Sequence, residues 1–445
     1  MVLRDLFIRG VHSIRQLSEN SAGQKGWYRF LGNERTSEGV IIQNMRDRCA
    51  HSVKGRVVLS IQDSSDINLY NHKNRIKADD SIGRTNSPDK GLGFLIHPSL
   101  AVDACNCFPY GFSEVRIWNR SLEKQTKHDR RYNALSTDQK ESYKWIESSN
   151  QTKASLSEAA MVIIVQDREG DIYEQFATIP DQRTHLLIRS KTNRRLGGSV
   201  KLSDKLSDCP LQGTYSMDIA GDKRKNQIKR KATFEVRFTE TEVKRPKGAD
   251  QQIAENVKLY VVEAKEIAHK VKQPVCWRLL TTLPVTTLSE ALQVIEWYSW
   301  RWLAEEVFRI LKEEGFNIEA SELEKGWSVR KLCLLMLDTI IKLFQMRIAY
   351  EIPEEQGLPA GICFTESQSK CLDKQSERLE GKTEKQKNPY QKKSLQHATW
   401  IIARLGGWKG YASERPPGIT TLWIGLRRFC DIYKGWLLSE DVSTR

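Results

Sequence analysis

Two short apolar runs in the first half of the chain each end in the same dipeptide, a glutamine followed by an aspartate. They are residues 57–61, followed by Gln62 and Asp63, and residues 161–165, followed by Gln166 and Asp167. Continuous apolar runs of this length are typical of strands that are buried on both faces. Helix-like segments alternate with such runs, so the chain is predicted to form an α/β sheet. Each aspartate would then lie at the carboxyl end of a buried strand, the edge where α/β sheets build their sites.

An aspartate at the end of a strand also has ordinary structural roles. Its side chain accepts hydrogen bonds from nearby backbone N–H groups and so forms turns or caps helices. From their positions alone, Asp63 and Asp167 fit either a structural or a chemical role.

A third acid, Glu305, lies in the segment Tyr298–Lys312, which is predicted to belong to one helix. Upstream, Thr287 and Glu290 have the spacing of a capping box, and downstream Gly315 is placed to end the helix. With about 100° per residue, an arc of about 80° carries one tyrosine and four charged groups. These are Tyr298, Arg301, Glu305, Arg309 and Lys312. The opposite side is predicted to face the core and carries Trp300, Leu303, Val307, Ile310 and Leu311.

This helix has two interpretations. A carboxylate among cations is what a phosphodiester site needs, since the acid can hold a metal ion while the cations hold a DNA backbone. The same pattern is typical of a solvated face on which Glu305 pairs with Arg301 and Arg309, four residues away on either side.

The overall charge favours a polyanionic partner. Lysine and arginine number 70 against 56 acidic residues, which leaves a net charge of +14. The nine cysteines have no zinc-site spacing, since Cys105 and Cys107 form only a CxC pair, and are interpreted as reduced thiols. No segment has the pattern of a signal peptide, and the most apolar one, residues 332–349, contains three charged residues. A cytoplasmic location without membrane association is therefore expected.

Five regions are predicted along the chain. They are a helical, basic N-terminal region (1–54), the first part of an α/β core (55–191), a β-rich insertion (192–284), a core helix with the third acid (285–325) and a helical C-terminal region (326–445). The insertion carries basic runs such as 223–225, which suit solvent or a phosphate backbone. In the last region, residues from about 368 to 393 are charged and poor in apolar side chains, so they are predicted to be a mobile linker.

The three acids together point to metal-dependent chemistry on phosphodiesters. Asp63, Asp167 and Glu305 would hold two Mg²⁺ ions about 3.5–4 Å apart. One ion would make a water or a 3′ hydroxyl nucleophilic, and the other would stabilise the leaving oxygen. Mg²⁺ suits carboxylate ligands and keeps water positions open, and Mn²⁺ is an alternative.

The spacing Tyr298-x2-Arg301-x3-Glu305-x6-Lys312 resembles the YREK signature of bacterial DDE transposases of the insertion-sequence-4 kind. The segments around Asp63 and Asp167 resemble the first two acidic motifs of that family. The second motif is usually written DREADIY, and here Gly170 replaces the alanine. Residues 27–33 and residues 188–191 resemble further family motifs. Residues 277–285 resemble the family's insertion segment, and 394–396 and 402–407 its C-terminal dimerisation region.

The resemblance implies a ribonuclease-H-like catalytic core interrupted by the β-rich insertion, with helical N-terminal and C-terminal domains. It implies that Asp63, Asp167 and Glu305 are catalytic metal ligands. It also implies a cut-and-paste transposase that binds terminal inverted repeats, nicks the transposon end, forms and reopens a DNA hairpin and joins the 3′ end to target DNA. A homodimer in a synaptic complex on double-stranded DNA, associated with a bacterial nucleoid, is the expected assembly.

The resemblance also assigns contacts to DNA. Trp277 would stack on a base flipped out of the duplex, which stabilises the hairpin by ~1–3 kcal/mol per stacked base. An ordinary buried tryptophan is the alternative for this residue. The remaining expected DNA contacts are Tyr298, Arg301, Lys312, Arg189 and Arg309.

Two other functions stay open from the sequence. The region before residue 27 looks shorter than in the family, so the protein is alternatively expected to be a dimerising inhibitor of transposition. A stand-alone two-metal nuclease is a third hypothesis, but it gives no role to Trp277 or to the C-terminal motifs.

Overall fold

The computed structural model describes residue 14 and residues 20–76, 80–87, 90–123, 135–196, 200–219, 229–267, 274–313, 316–353, 357–411 and 414–443. The strands are β1 Val57–Gln62, β2 Ser65–Asn68, β3 Gly93–Asp103, β4 Pro109–Trp118, β5 Met161–Gln166, β6 Thr184–Arg189, β7 Gly213–Ile219, β8 Arg230–Lys244, β9 Asn256–Glu266 and β10 Cys276–Thr281. The helices are α1 Ser21–Leu31, α2 Glu38–Val53, α3 Tyr143–Ser155, α4 Tyr173–Thr178, α5 Leu202–Asp208, α6 Leu288–Ser299, α7 Trp302–Lys312, α8 Gly326–Glu351, α9 Glu366–Leu379, α10 Leu395–Leu405 and α11 Ile419–Ser443.

These ten strands form one mixed sheet in the order β2-β3-β1-β5-β6-β10-β9-β8-β7, and β4 pairs with β3. The central strands β1, β5 and β6 are parallel, whereas the flanking pairs are antiparallel. The predicted α/β class is therefore confirmed. The strands of the 192–284 region continue the same sheet through β10 and β6, and the short helix α5 also lies in that region.

The sheet is buried on both faces because alternate side chains of its central strands enter two different cores. Leu59 and Ile163 belong to a large core with helices α6, α7, α8 and α10. Val58 and Ile164 belong to a smaller core with α3, α4 and α5. This two-sided burial explains why β5 is a continuous apolar run and why the apolar run of β1 is interrupted only by the buried Ser60.

The segment predicted as one helix through residue 312 is two helices. The capping box of Thr287 and Glu290 begins α6, as expected. After Ser299 the chain makes a tight turn, in which the Arg301 N–H donates to the carbonyl of Tyr298, and α7 begins at Trp302. Tyr298 therefore belongs to the last turn of α6, whereas Glu305, Arg309 and Lys312 belong to α7. The side chain of Tyr298 is buried. Gly315, the predicted end of the helix, lies outside the described residues.

The prediction of a mobile linker over residues 368–393 is wrong for nearly its first half. Residues Glu366–Leu379 form α9, which begins with a capping box formed by Thr365 and Gln368. Cys371 and Leu372 are buried against the large core. Most residues of this segment are charged or polar, so its helical pattern was not recognised. The two buried side chains nevertheless dock α9 as a short amphipathic helix. The basic run 223–225 lies outside the described residues.

Among the helices that the structure describes, none is both long and apolar enough to cross a bilayer.

Candidate functional site

The parallel register of β1 and β5 brings the two Gln-Asp dipeptides together. Ile61 is paired with Val165, so both dipeptides follow at the same sheet edge. Side chains alternate along a strand, so each glutamine points to the opposite face from the aspartate that follows it. The glutamines contact α3 and α4, whereas Asp63 contacts Arg301, the residue that precedes α7.

Arg301 joins the first and third acids. Its Nη1 lies 2.7 Å from Asp63 Oδ2, and its Nη2 lies 2.6 Å from Glu305 Oε1. The Arg301 side chain is 17% exposed. The predicted pair between residues 301 and 305 is therefore present, but it is not a solvated surface pair, because the same guanidinium reaches an acid 238 residues earlier in the chain. The structure thus brings Asp63 and Glu305 to one point.

The electrostatics of Asp63 show that Asp167 is also near. Burial raises the pKa of Asp63 to about 6. Arg301 and a hydrogen bond from the Ser64 N–H lower this pKa, whereas the charges of Asp167 and Glu305 raise it further. An ionised Asp63 is thus incompletely compensated by its surroundings.

Asp167 also has the structural role expected of a strand-end aspartate. Its Oδ1 accepts a hydrogen bond of 2.7 Å from the Glu169 N–H and caps a short 3₁₀ turn, Arg168–Gly170. Just beyond, Asp171 forms a buried ion pair with Arg194 and accepts from the Lys191 N–H at 2.8 Å. The second acidic motif is thereby attached to the segment that follows β6.

Two of the cations expected to contact DNA, Lys312 and Arg309, form ion pairs with different acids. Lys312 Nζ lies 3.7 Å from both Asp66 Oδ1 and Glu319 Oε1. Arg309 forms an ion pair with Glu306, three residues earlier on α7.

Trp277, Tyr298 and Arg189 form a second group. The Trp277 ring lies edge-to-face on Tyr298 at a centroid distance of 5.3 Å and stacks on Phe234 at 6.5 Å. Burial raises the pKa of Tyr298, and the cations Arg301 and Arg189 oppose that shift. Trp277 is only half-buried, which leaves part of its ring accessible.

The acids offer the oxygen ligands that a hard divalent cation prefers. Within the ranges described, however, no group of three or more acidic, histidine or cysteine side chains has a ready-made metal arrangement. The guanidinium of Arg301 lies between Asp63 and Glu305 and holds both. The donor chemistry therefore fits Mg²⁺, on the condition that Arg301 releases at least one of the two acids.

Two features were missed from the sequence. Trp302, directly after Arg301, is 54% exposed. The sequence pointed to this residue only through its position within the charged motif of residues 298–312. Gln62 and Gln166 are fully buried and hydrogen-bonded to each other. Their repetition before both acids was visible, but their contact depends on the strand register.

A comparison with protein families points to a transposase. Residues 146–339 match a family model described as "Transposase DDE domain". The matched segment contains Asp167 and Glu305 and supports a DDE transposase. Among solved structures, the chain is similar to a piggyBac transposase in a synaptic complex with hairpin DNA, determined by cryo-EM. The identity is 8% and the TM-score 0.33, over 67% of this chain and 48% of that one. The chain thus spans about half the length of that transposase, and a TM-score of this size does not define a fold.

Proposed function

We propose that this protein is a cut-and-paste DNA transposase that uses Asp63, Asp167 and Glu305 as its catalytic acids. The observation that carries the proposal is the bridge of Arg301 between Asp63 and Glu305, with the charge of Asp167 acting on the same site. The raised pKa of Asp63, a carboxylate buried close to two other acids, supports the same assignment, because such shifts cluster at functional sites.

The three acids would hold Mg²⁺ or Mn²⁺, which when bound activates a water or a 3′ hydroxyl and stabilises the leaving oxygen. Arg301 neutralises the acids before a metal arrives and is then free to contact a phosphate. Lys312 pairs with Asp66, three residues after Asp63, and would hold the DNA backbone. Trp277, supported from below by Tyr298 and Phe234, would offer its accessible face to a flipped base, with Arg189 near the adjoining phosphate.

The proposal extends to the fold and assembly. We propose that β4, β3, β1, β5 and β6 form a ribonuclease-H-like core, which is supported by their order and by the parallel β1, β5 and β6. We also propose that the protein belongs to the insertion-sequence-4 group, with the transposon-5 transposase as a near relative, which is supported by the resemblance of its acidic motifs and of residues 298–312 to that family. The helices after residue 326 would form the dimerisation domain of a synaptic complex.

Binding to the element's own terminal inverted repeats tests the proposed function. We expect a retarded complex with repeat DNA in a mobility-shift assay, and cleavage of that DNA at the repeat boundary when Mg²⁺ is added. Scrambled DNA of the same length is the control. Failure to form any repeat-specific complex contradicts the proposal. That result would instead favour the dimerising inhibitor of transposition, whose shortened N-terminal region would leave it unable to bind the ends.

Trp277→Ala is expected to impair hairpin formation roughly 5- to 150-fold more than first-strand nicking. Loss of a stacked base costs about 1–3 kcal/mol, and only the hairpin step needs a flipped base. Both products can be followed on one denaturing gel with end-labelled repeat DNA. Trp327→Ala, in the first turn of α8, is the matched tryptophan control. An equal loss in both steps would show that Trp277 only supports the fold.

A further inference from the structure

The two buried glutamines that precede the acids are paired across the strands. Gln166 Nε2 donates to Gln62 Oε1 at 2.7 Å, and both side chains are fully buried. They lie on the face of the sheet opposite Asp63 and Asp167, so they cannot contact substrate. Each glutamine is nevertheless covalently adjacent to one of the acids, so fixing the pair also fixes the spacing of the two strand ends.

Gln175 of α4 extends the pair to the turn that follows β5. Its Nε2 donates to Gln166 Oε1 at 2.7 Å and to the carbonyl of Gly170 at 2.8 Å. Ser149 Oγ donates to Gln175 Oε1 at 2.7 Å. The turn that carries Asp167 is therefore held at both ends, through Gln166 before it and through Gly170 after it.

Gly170 makes room for this arrangement. A Cβ atom at position 170 would lie 2.1 Å from Gln166 Oε1 and 2.9 Å from its Cβ and Cδ. The requirement is spatial, since Gly170 does not have a positive φ. The resembling motif usually has alanine here, so the glycine of this chain and the bulky Gln166 are a matched pair.

We propose that Gln62, Gln166 and Gln175 form a glutamine clasp that sets the relative position of Asp63 and Asp167. They are positioning residues that act through the backbone. A buried amide left without a partner is costly, so the clasp has one favoured arrangement and resists displacement of either strand end. This inference rests on the proposed function, because it assumes that the two acids share a metal.

Mn²⁺ binding to the full-length protein, measured by calorimetry without DNA, tests the clasp. Gln166→Leu is expected to weaken Mn²⁺ binding on the order of tenfold or more, as loss of a group supporting metal ligands typically does. The control is Gln345→Leu, which removes a buried glutamine of α8 that donates to the Pro109 carbonyl, away from the acids. It should lower the melting temperature and leave Mn²⁺ affinity unchanged.

The double variant Gln62→Leu/Gln166→Leu separates positioning from stability. Removing both partners leaves no orphaned Gln62 amide, so its melting temperature should be at least that of Gln166→Leu. Its Mn²⁺ affinity should stay low. Unchanged affinity in these folded variants, or an equal loss in Gln345→Leu, overturns the clasp while the proposed function stands. If the wild-type protein neither binds Mn²⁺ nor cleaves repeat DNA, the proposed function fails and the clasp with it.

Gly170→Ala offers an independent test without altering a polar group. The added methyl must displace Gln166, so both melting temperature and Mn²⁺ affinity should fall. Adding Gln166→Gly relieves the clash and should restore part of the melting temperature but not the affinity. A Gly170→Ala variant with wild-type stability and affinity would contradict the clasp.

Discussion

Asp63→Asn, Asp167→Asn and Glu305→Gln are each expected to reduce cleavage of repeat DNA on the order of a thousandfold or more. An amide has nearly the shape of the carboxylate, but it lacks the charge that a divalent cation requires. DNA binding should be retained or slightly tightened, because each change removes a negative charge from a surface that faces phosphates. Cleavage is measured on labelled repeat DNA with Mg²⁺, and binding by mobility shift with Ca²⁺ in its place.

Glu306→Gln is the matched control for these variants. Glu306 neighbours Glu305 on α7, but it pairs with Arg309 and not with Arg301. Its amide should cleave at close to the wild-type rate. If DNA binding disappears together with cleavage in the three acid variants, the acids are structural and the assignment of a catalytic site is wrong.

Asp63→Asn is expected to melt several degrees above the wild-type protein at pH 7.5 in the absence of divalent metal. The folded pKa of Asp63 is about 6, raised from a usual 3.8, so the folded state favours the protonated form. Above pH 6 the ionised group therefore destabilises the fold by roughly 3 kcal/mol, at about 1.4 kcal/mol per pKa unit. The penalty diminishes as the pH falls from 6 and is absent below about 4. The advantage of the amide should disappear over the same range.

Melting curves at several pH values, with and without Mg²⁺, check this prediction. Mg²⁺ should stabilise the wild-type protein and not the Asn variant, which reverses their order. Asp181→Asn is a control for which the opposite change in melting temperature is expected. Burial acts to raise the pKa of Asp181, but hydrogen bonds from Lys153 and from two backbone N–H groups outweigh it and lower this pKa. Its amide should melt lower at pH 7.5. An Asp63→Asn variant that melts below the wild type would show that Arg301 fully compensates the acid.

Together the two experiments test whether Asp63 lowers the stability of the fold and is needed for cleavage. A carboxylate that weakens the fold at neutral pH has no structural reason to be retained. If Asp63→Asn is more stable and inactive, Asp63 is held there for its chemistry. That combination would separate this residue from Asp171, whose ion pair with Arg194 is structural.

Local features of the fold could be predicted because they depend on neighbours in sequence. The strand Thr184–Arg189 was placed at its observed bounds, since an apolar run between turn residues has few other solutions. The capping box at Thr287 was placed for a similar reason, because its hydrogen bonds join residues three apart. The turn at Trp300 and Arg301 was not predicted, because no glycine or proline marks it.

By itself, the sequence determined that Asp63 and Asp167 lie at the ends of buried strands, because continuous apolar runs followed by a polar pair allow little else. Only the tertiary structure decided what those ends meet. The parallel register of β1 and β5 pairs Gln62 with Gln166, and the docking of α7 brings Arg301 to Asp63. These contacts join residues roughly a hundred or more positions apart, and their energy depends on strand register and helix packing, which no local pattern encodes.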